Sequence, residues 1–445
     1  MRDSILSIHE GRGTSRRDFL RLMAVSGVGL LAGCAVNPVT GRQQLMLVSE
    51  DQEISMDREN APHQFSSDYG TIQDSTLNDY VNRTGRRIAA NTHRAHMPYS
   101  FRVVNANYVN AYAFPGGSIA CTRGILLSME NEAELAALLG HELGHVNARH
   151  TAGQMSKGML TQTFVGGLSA ILGTQGAALG NLTSQLGMIG VGALLASYSR
   201  DNEREADALG MEYMVRAGYT PGGMVGLHEM LMGLSKRNPS AIELMFATHP
   251  MSEERYQRAV ANAKSKYASS ANLPEHRERY MDNTARLRTL KGAVEEMEKG
   301  ERLMSKEQFS DAERHFQNAL RMAPNDYPCL LLLAKCKLIQ KDYRQGIAYA
   351  ERAQKAYPEE AQAYHLSGYG KLMSNDFTGA HRDFDTCEKR LPGNANIVFF
   401  KGYTQEKMQH KQEAAREFQR YLQVVQQGDK AQYAYARLKE WGYYK

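Results

Sequence analysis

The sequence predicts an α+β protein that is mainly helical, with a small sheet in its N-terminal domain and an all-α solenoid at its C-terminus. Three patterns support this prediction. Proline, aromatic and small residues recur every 34 positions in the C-terminal third, helical patterns occur near 49–60 and 74–91, and short strand-like runs flank a Pro-Gly-Gly turn at 115–117. Helix pairs that repeat in this way bury their apolar faces only by stacking, so a solenoid follows.

The 34-residue period appears in several independent columns. The clearest columns are Pro324, Pro358 and Pro392; Phe316, Ala350, Phe384 and Phe418; Gly300, Ala334, Gly368 and Gly402. The pattern resembles the tetratricopeptide repeat, in which small residues permit close helix packing and proline ends each repeat. It predicts four repeats over 293–428 and a capping helix over 429–445. A charged linker or connecting helix over 263–292 precedes them.

The composition is that of a globular protein of about three domains. The 445 residues are 42% hydrophobic and 23% charged, which is enough apolar material for sizeable cores. A mean hydropathy of −0.49 is too polar for a protein with several membrane spans. The formal net charge of +5 is too weak to suggest nucleic acid as a partner.

The N-terminus has the pattern of an export signal rather than of a folded element. Residues 15–20 read Ser-Arg-Arg-Asp-Phe-Leu, which resembles the twin-arginine signature, although the general secretory route stays open. Residues 31–34 read Leu-Ala-Gly-Cys and resemble a bacterial lipobox, which predicts a signal peptide over 1–33 and a lipid on Cys34. Because Ala35 and not Asp follows, we expect a periplasmic protein anchored in the inner leaflet of a Gram-negative outer membrane.

Four further cysteines are too few for a disulfide framework. They are Cys121, Cys329, Cys336 and Cys387. If Cys329 and Cys336 share one helix, their spacing corresponds to about 10 Å of rise, which is too far to bridge. A disulfide between Cys336 and Cys387 stays open, and buried thiols are the expectation.

The stretch 158–199 contains no Asp, Glu, Lys or Arg and holds nine glycines. Thr, Gln, Asn and Ser interrupt it throughout, so it lacks the uninterrupted apolar run that a membrane span needs. We predict buried helices or a mobile flap here.

Residues 141–145 read His-Glu-Leu-Gly-His, the HExxH pattern, within a predicted helix over 134–148. On one helix His141 and His145 lie one turn apart on the same face, so both imidazoles reach one zinc ion while Glu142 projects beside them. Zinc activates water at such sites, and Glu142 is the expected general base for attack on an amide carbonyl.

A zinc site with one open position needs a third protein ligand. His150 lies on a different face and does not fit the longer metzincin pattern, which needs a histidine one residue later, so we expect a structural role for it. Glu203 is the better candidate. Asp207 follows it on the same helix face, where it would accept a hydrogen bond from the far N–H of a liganding histidine. Glu205 lies on the opposite side, and we expect a solvated charge there.

Together these motifs resemble the gluzincin family of zinc proteases, which includes the HtpX membrane proteases and the CAAX prenyl protease. The matching segments are HExxH; Ser199 to Asp207; Thr248-His249-Pro250 with Arg255; Asn110; Phe114 to Gly117; Thr122-Arg123-Gly124. The lipobox and the repeats make the chain most similar to the periplasmic BepA-type members, which act in outer-membrane protein quality control. The resemblance covers nearly the whole mature chain, but no predicted spanning helix flanks HExxH.

The resemblance implies further site residues. In this family the segment before HExxH forms a strand beside the zinc, so Tyr108, Asn110 and Phe114 are candidates for binding an extended substrate. His249 lies near the zinc, where a neutral imidazole would occupy the fourth zinc position in a resting state. Alternatively His249 or Arg255 donates a hydrogen bond to the tetrahedral oxyanion, or His249 only packs its loop.

We therefore expect a lipid-anchored zinc endopeptidase, with one catalytic zinc ion, that hydrolyses misfolded or stalled envelope proteins. The domain over 34–262 would carry the chemistry. The repeats would recruit unfolded substrates or a protein partner such as the outer-membrane assembly machinery. The alternative is a chaperone or scaffold that binds through its repeats while the protease site is normally closed.

Overall fold

The computed structural model describes residues 34–161 and 198–444. Over these ranges the protein is mainly helical, with a two-stranded hairpin and one three-stranded sheet, and this confirms the predicted fold class. The predicted signal peptide over 1–33 and almost all of the uncharged stretch 158–199 lie outside the described residues. None of the helices within the described ranges is long and apolar enough to cross a lipid bilayer.

A three-stranded sheet precedes the HExxH helix in the chain. Its strands are β3 (Ser100–Val104), β4 (Ala111–Ala113) and β5 (Ser118–Thr122), in the spatial order β3-β5-β4. Strand β3 is parallel to β5, and β4 is antiparallel to β5 across the turn at 115–117. Within the described residues β4 is therefore an edge strand.

Helices surround this sheet and follow it. A short hairpin of β1 (Cys34–Val36) and β2 (Gln43–Leu45) precedes them. The first group of helices is α1 (Glu50–Ser67), α2 (Ser75–Ala89), α3 (Arg123–Ser128), α4 (Glu132–Asn147) and α5 (His150–Thr161). The second group is α6 (Arg200–Arg216), α7 (Gly222–Arg237), α8 (Pro239–Thr248) and α9 (Glu253–Lys264). HExxH lies on α4, and Glu203 lies in the first turn of α6.

Glycines permit α4 and α6 to approach each other closely. A Cβ atom at Gly144 would lie 2.8 Å from the carbonyl oxygen of Ala206, and one at Gly210 would lie 2.7 Å from the backbone nitrogen of His141. Such distances are below van der Waals contact, so larger side chains at these positions would force the helices apart. The glycines thus set the position of α6 relative to the HExxH motif.

The predicted linker over 263–292 is docked on the catalytic domain. Its main element is α10 (Arg277–Arg288), in which Tyr280 and Leu287 are buried. The hydroxyl of Tyr280 donates a hydrogen bond to the carbonyl oxygen of Leu126 at 2.6 Å. The segment is therefore a packed connecting helix rather than a loose tether.

Four helix pairs follow with the 34-residue period. The glycine column lies where the two helices of a pair meet, since a Cβ at Gly300 would come within 2.3 Å of the Phe316 ring and one at Gly368 within 2.9 Å of Phe384. The pairs are α11 (Lys291–Ser305) with α12 (Phe309–Met322), α13 (Tyr327–Ile339) with α14 (Tyr343–Ala356), α15 (Gln362–Met373) with α16 (Phe377–Arg390), and α17 (Ala395–Lys407) with α18 (Lys411–Val424). Helix α19 (Asp429–Glu440) packs on the last pair.

Buried polar groups join the first repeats to the catalytic domain. Arg123, which is 1% exposed, donates from its guanidinium to Asp326 and to Asn107, each at 2.6 Å. Glu301 accepts hydrogen bonds from Asn107 at 2.9 Å and from the Tyr69 hydroxyl at 2.7 Å. One apolar core runs from the catalytic domain into the start of repeat three. A second core holds the remainder of the repeats and the final helix.

The four cysteines beyond Cys34 are buried free thiols, as expected. Cys336 packs with its Sγ 3.3 Å from the carbonyl oxygen of Phe309, and burial raises the pKa of its thiol to about 11. Cys387 belongs to the second apolar core, so no disulfide joins it to Cys336.

Candidate active site

The HExxH helix is buried along its whole length. Its start is fixed by Asn131, whose side-chain oxygen accepts a hydrogen bond from the backbone N–H of Glu134 at 2.9 Å. His141 and His145 lie one turn apart, with their Nε2 atoms 3.1 Å from each other. Two neutral imidazoles in this arrangement present their lone pairs to one shared point.

Helix α6 brings a carboxylate to the same point. Ser199 caps this helix, and its side chain accepts a hydrogen bond from the backbone N–H of Asn202 at 3.2 Å. Glu203 is fully buried and places Oε1 3.3 Å from Nε2 of His145 and Oε2 3.6 Å from Nε2 of His141. The structure therefore brings together the three residues that the sequence nominates as metal ligands.

A third histidine joins the cluster. His249 directly follows α8, and its backbone N–H donates to the carbonyl oxygen of Met245 at 2.6 Å. Its Nδ1 lies 3.4 Å from Nε2 of His141 and 3.1 Å from Oε1 of Glu203. One ligand atom from each of these three residues and from His145 lies within 4.8 Å of all the others.

The cluster fits a tetrahedral metal ion. Bonds of about 2.0–2.1 Å place neighbouring ligands of a tetrahedral zinc about 3.3 Å apart, and the five atom pairs given above, which involve either oxygen of Glu203, are 3.1–3.6 Å apart. Both carboxylate oxygens of Glu142 are buried without a hydrogen-bond partner in the described part of the chain. Because a buried carboxylate without a hydrogen-bond donor is costly, the space beside Glu142 suits a group that supplies positive charge and a proton.

Asp207 and Arg255 hold the ligands in place. Asp207 Oδ1 lies 2.9 Å from Nδ1 of His141, the nitrogen that faces away from the cluster. Arg255 donates to both oxygens of Asp207 at 2.7 Å and forms an ion pair with Glu203 at 2.6 Å. With a further bond to the carbonyl oxygen of Pro250, these contacts engage all three nitrogens of the guanidinium.

Burial and nearby charges move the pKa values of the two site carboxyls in opposite directions. Burial raises the pKa of Glu142, and His249 and His141 offset this only in part. Burial also acts to raise the pKa of Glu203, but His249, His145 and His141 outweigh it and hold that pKa below its ordinary value. Glu203 is thus kept as an anion suited to binding a cation, whereas Glu142 holds a proton more readily.

Several contacts at the site were not found from the sequence. His150 contacts His145 through their Nδ1 atoms at 2.9 Å, and Glu205 contacts His150 at 3.1 Å instead of lying free in solvent. The ring of Tyr198 stacks on His145 with 3.8 Å between ring centroids. His228 lies 3.5 Å from Asp207. Helical periodicity gives no signal for these contacts because each one joins two different elements.

The three residues nominated for substrate binding have different surroundings. Tyr108 is partly exposed and donates from its hydroxyl to Asp68 at 2.5 Å. Asn110 is fully buried, and its side-chain amide lacks a hydrogen-bond partner among the described residues. Phe114 is 2% exposed, and its ring packs in a small core with Phe65 and Tyr112.

Known protein families match both parts of the chain. The sequence profile of Peptidase family M48 matches residues 75–263, which contain the whole cluster, and a tetratricopeptide-repeat profile matches 303–368. The mitochondrial metalloendopeptidase OMA1 of Schizosaccharomyces pombe is 30% identical over 247 residues, which cover 54% of this chain and 69% of that protein. The chain belongs to peptidase family M48.

Bacterial proteins are also similar to this M48 chain. The beta-barrel assembly-enhancing protease of Yersinia pestis is 32% identical over 240 residues, which cover 52% of the chain and 48% of that protein. Its namesake in Escherichia coli K12 is 29% identical, with 41% of the chain and 38% of that protein covered. The chain thus spans half or less of the length of these two relatives.

The helix contact predicts a specific sensitivity to one methyl group. Gly144→Ala should destabilise the protein by about 1–3 kcal/mol and lower its metal content, because the added Cβ overlaps the backbone of α6. Gly153→Ala is the matched control, since its Cβ would meet no atom within 4 Å on α5, and it should be neutral or stabilise by about 0.5–1 kcal/mol. Urea unfolding and bound-metal analysis measure both effects. Equal behaviour of the two variants would contradict the role given to this contact.

Proposed function

We propose that the protein is a zinc endopeptidase that hydrolyses misfolded or stalled proteins of the bacterial envelope, in support of outer-membrane protein assembly. The convergence of His141, His145 and Glu203 beside the buried carboxylate of Glu142, which accepts no hydrogen bond from the described residues, is the observation that carries the proposal. Membership of family M48 and the similarity to proteins named beta-barrel assembly-enhancing protease support it.

The residues divide the chemistry between them. Zinc held by His141, His145 and Glu203 would supply Lewis acidity toward water and the scissile carbonyl. Glu142 accepts the proton of the attacking water on a carboxylate oxygen and then delivers it to the leaving amine. Its burial favours this role, because burial raises the pKa of Glu142 and so makes its carboxylate a stronger base. Asp207 orients His141 through the far ring nitrogen.

Substrate would bind as an extended strand along β4. Among the described residues β4 is an edge strand, and backbone hydrogen bonds from it to a substrate would depend little on substrate sequence. The buried amide of Asn110 lies just before β4 and has donor and acceptor atoms to offer. Tyr108 borders the same segment, while Phe114 supports it from the core.

The repeats and the N-terminus would determine where the enzyme acts and which proteins reach it. Repeat surfaces bind peptides or partner helices, so the repeats would present unfolded chains or a component of the outer-membrane assembly machinery to the catalytic domain. The lipobox-like residues 31–34 support a lipid on Cys34 and a position at the inner leaflet of the outer membrane, facing the periplasm.

A closed resting state is a second component of the proposal. His249 Nδ1 lies among the other ligand atoms, at 3.1 Å from Glu203 and 3.4 Å from His141. It would therefore act as a fourth protein ligand and keep water and substrate from the metal. The same observation favours the alternative function, a chaperone or scaffold that works through its repeats while the protease site stays closed.

Glu142→Gln tests the hydrolytic function. The variant should keep bound zinc, because His141, His145 and Glu203 are unchanged, and should lose hydrolysis of an unfolded protein by about 10²–10⁴-fold. Glu243→Gln, at an exposed position on α8, is the control and should match the wild type. Activity retained by zinc-loaded Glu142→Gln protein would overturn the mechanism. Absence of hydrolysis in the wild type and in the His249 variant described next would favour the scaffold function.

His249→Ala tests the closed state. Proteolysis, including self-cleavage, should rise while zinc stays bound by three residues, as measured by cleavage rate and X-ray absorption. His410→Ala, at an exposed position in the repeats, is the control and should leave the cleavage rate and the zinc environment unchanged. A fall of about 10²-fold in turnover would instead indicate oxyanion stabilisation. Unchanged activity with an unchanged zinc environment would leave only a packing role.

Cys34→Ser tests the anchor. The variant should move from the membrane fraction to the soluble fraction, because one lipidated cysteine is the attachment that the sequence predicts. Fractionation after a high-salt wash, followed by immunoblotting, measures the distribution. A variant that still pellets would show that another segment, for which 158–199 is the candidate, holds the protein on the membrane.

A further inference from the structure

A chain of three side chains leads from the metal cluster toward solvent. Nδ1 of His145 lies 2.9 Å from Nδ1 of His150, and Nε2 of His150 lies 3.1 Å from Oε2 of Glu205. The side chains of His145 and His150 are 1% and 4% exposed, whereas that of Glu205 is 32% exposed. None of the chemistry assigned above uses His150 or Glu205.

A break between two helices makes the contact between His145 and His150 possible. On one continuous helix, residues five apart point about 140° away from each other, and His150 would not reach His145. Helix α4 ends at Asn147, and Arg149 adopts a left-handed conformation with φ of 56° before α5 begins at His150. Arg149 is fixed there by an ion pair of 3.1 Å with the buried Glu53. The reversal turns the His150 ring back onto His145.

The contacts determine where the protons lie. His145 directs Nε2 to the cluster, so a metal ligand at that atom carries its proton on Nδ1. That proton is donated to Nδ1 of His150, which must then hold its own proton on Nε2 and donate it to Glu205. Each bond in the chain has one donor and one acceptor, and both rings are confined to single tautomers.

The two metal-binding histidines are therefore supported differently. His141 donates directly to a carboxylate, that of Asp207, at 2.9 Å. His145 reaches its carboxylate, Glu205, through one intervening imidazole. Tyr198 completes the support on this side, since its ring stacks on His145 and its hydroxyl lies 2.9 Å from Thr151, the residue after His150.

We propose that His150 and Glu205 are positioning residues that hold His145 in the ring orientation and tautomer needed to bind the metal. This inference rests on the proposed zinc site, and it extends that site beyond the residues that touch the ion. Groups that orient a liganding histidine typically contribute about 10–100-fold in metal affinity.

Two substitutions at one position separate positioning from packing. His150→Phe keeps a buried ring but removes the acceptor for His145, and it should weaken Zn²⁺ binding by about 10–100-fold. His150→Asn places an amide oxygen near the position of Nδ1, and it should restore affinity to within about threefold of the parent. Glu205→Gln keeps an acceptor without the charge and should have an intermediate effect. Glu254→Gln, an exposed carboxylate on α9, is the control and should have no effect.

The measurements use the full chain carrying Glu142→Gln, which prevents self-cleavage. Competition with a chromophoric chelator gives the Zn²⁺ affinity, and urea unfolding shows that each variant is folded. NMR of the Zn²⁺-loaded protein should show a slowly exchanging imidazole N–H of His145 in the parent and in His150→Asn, and should lose it in His150→Phe.

The outcomes distinguish this proposal from the zinc site on which it rests. A parent protein that does not bind Zn²⁺ would overturn the zinc site itself. If the parent binds Zn²⁺ and a folded His150→Phe variant binds it with equal affinity, the positioning role of His150 alone would be overturned. Equal losses of affinity in His150→Phe and His150→Asn would also overturn it, because packing and not the hydrogen bond would then be responsible.

Discussion

The close approach of α4 and α6 is the constraint on which the catalytic site depends. Ligand atoms must come within about 3.3 Å of each other around a tetrahedral ion, and side chains of fixed length meet there only if their helices lie close together. Gly144 and Gly210 permit that approach, because any larger residue at either position would have its Cβ within 2.8 Å of the facing backbone. His141, His145 and Glu203 converge as a result, although they come from helices far apart in sequence.

The same approach concentrates negative charge in the buried interior of the domain. Glu142 and Glu203 are fully buried, and the side chain of Asp207 is 13% exposed. Arg255 compensates two of the three carboxylates at once, through Asp207 and Glu203. Burying charges in this way costs free energy unless each one is paired. Glu142 is not paired with Arg255. The residue suited to moving a proton is therefore distinct from the residues that hold the site together.

Local periodicity explains what could be predicted from the sequence. Spacing within one helix defines HExxH and the Glu203–Asp207 pair, and spacing from one repeat to the next defines the 34-residue columns. The structure places the residues of each pattern together. The contacts of His150 and Tyr198 could not be found in this way, because they depend on a helix that stops at Asn147 and on residues that meet across elements. The resemblance nominates Phe114 for substrate binding, but it does not show that this side chain packs in a small core.

The join between the repeats and the catalytic domain has a consequence for how proteins of this architecture diversify. Arg123 of the catalytic domain is paired with Asp326 of repeat two, and Glu301 of repeat one is bonded to Asn107. A change of repeat one or two would leave buried charges unmatched, so these repeats vary only together with the catalytic surface. Most of the last two repeats belongs to the second apolar core, which does not extend into the catalytic domain. New partner specificity is therefore expected to arise at the far end of the solenoid, where sequence can drift without disturbing the site.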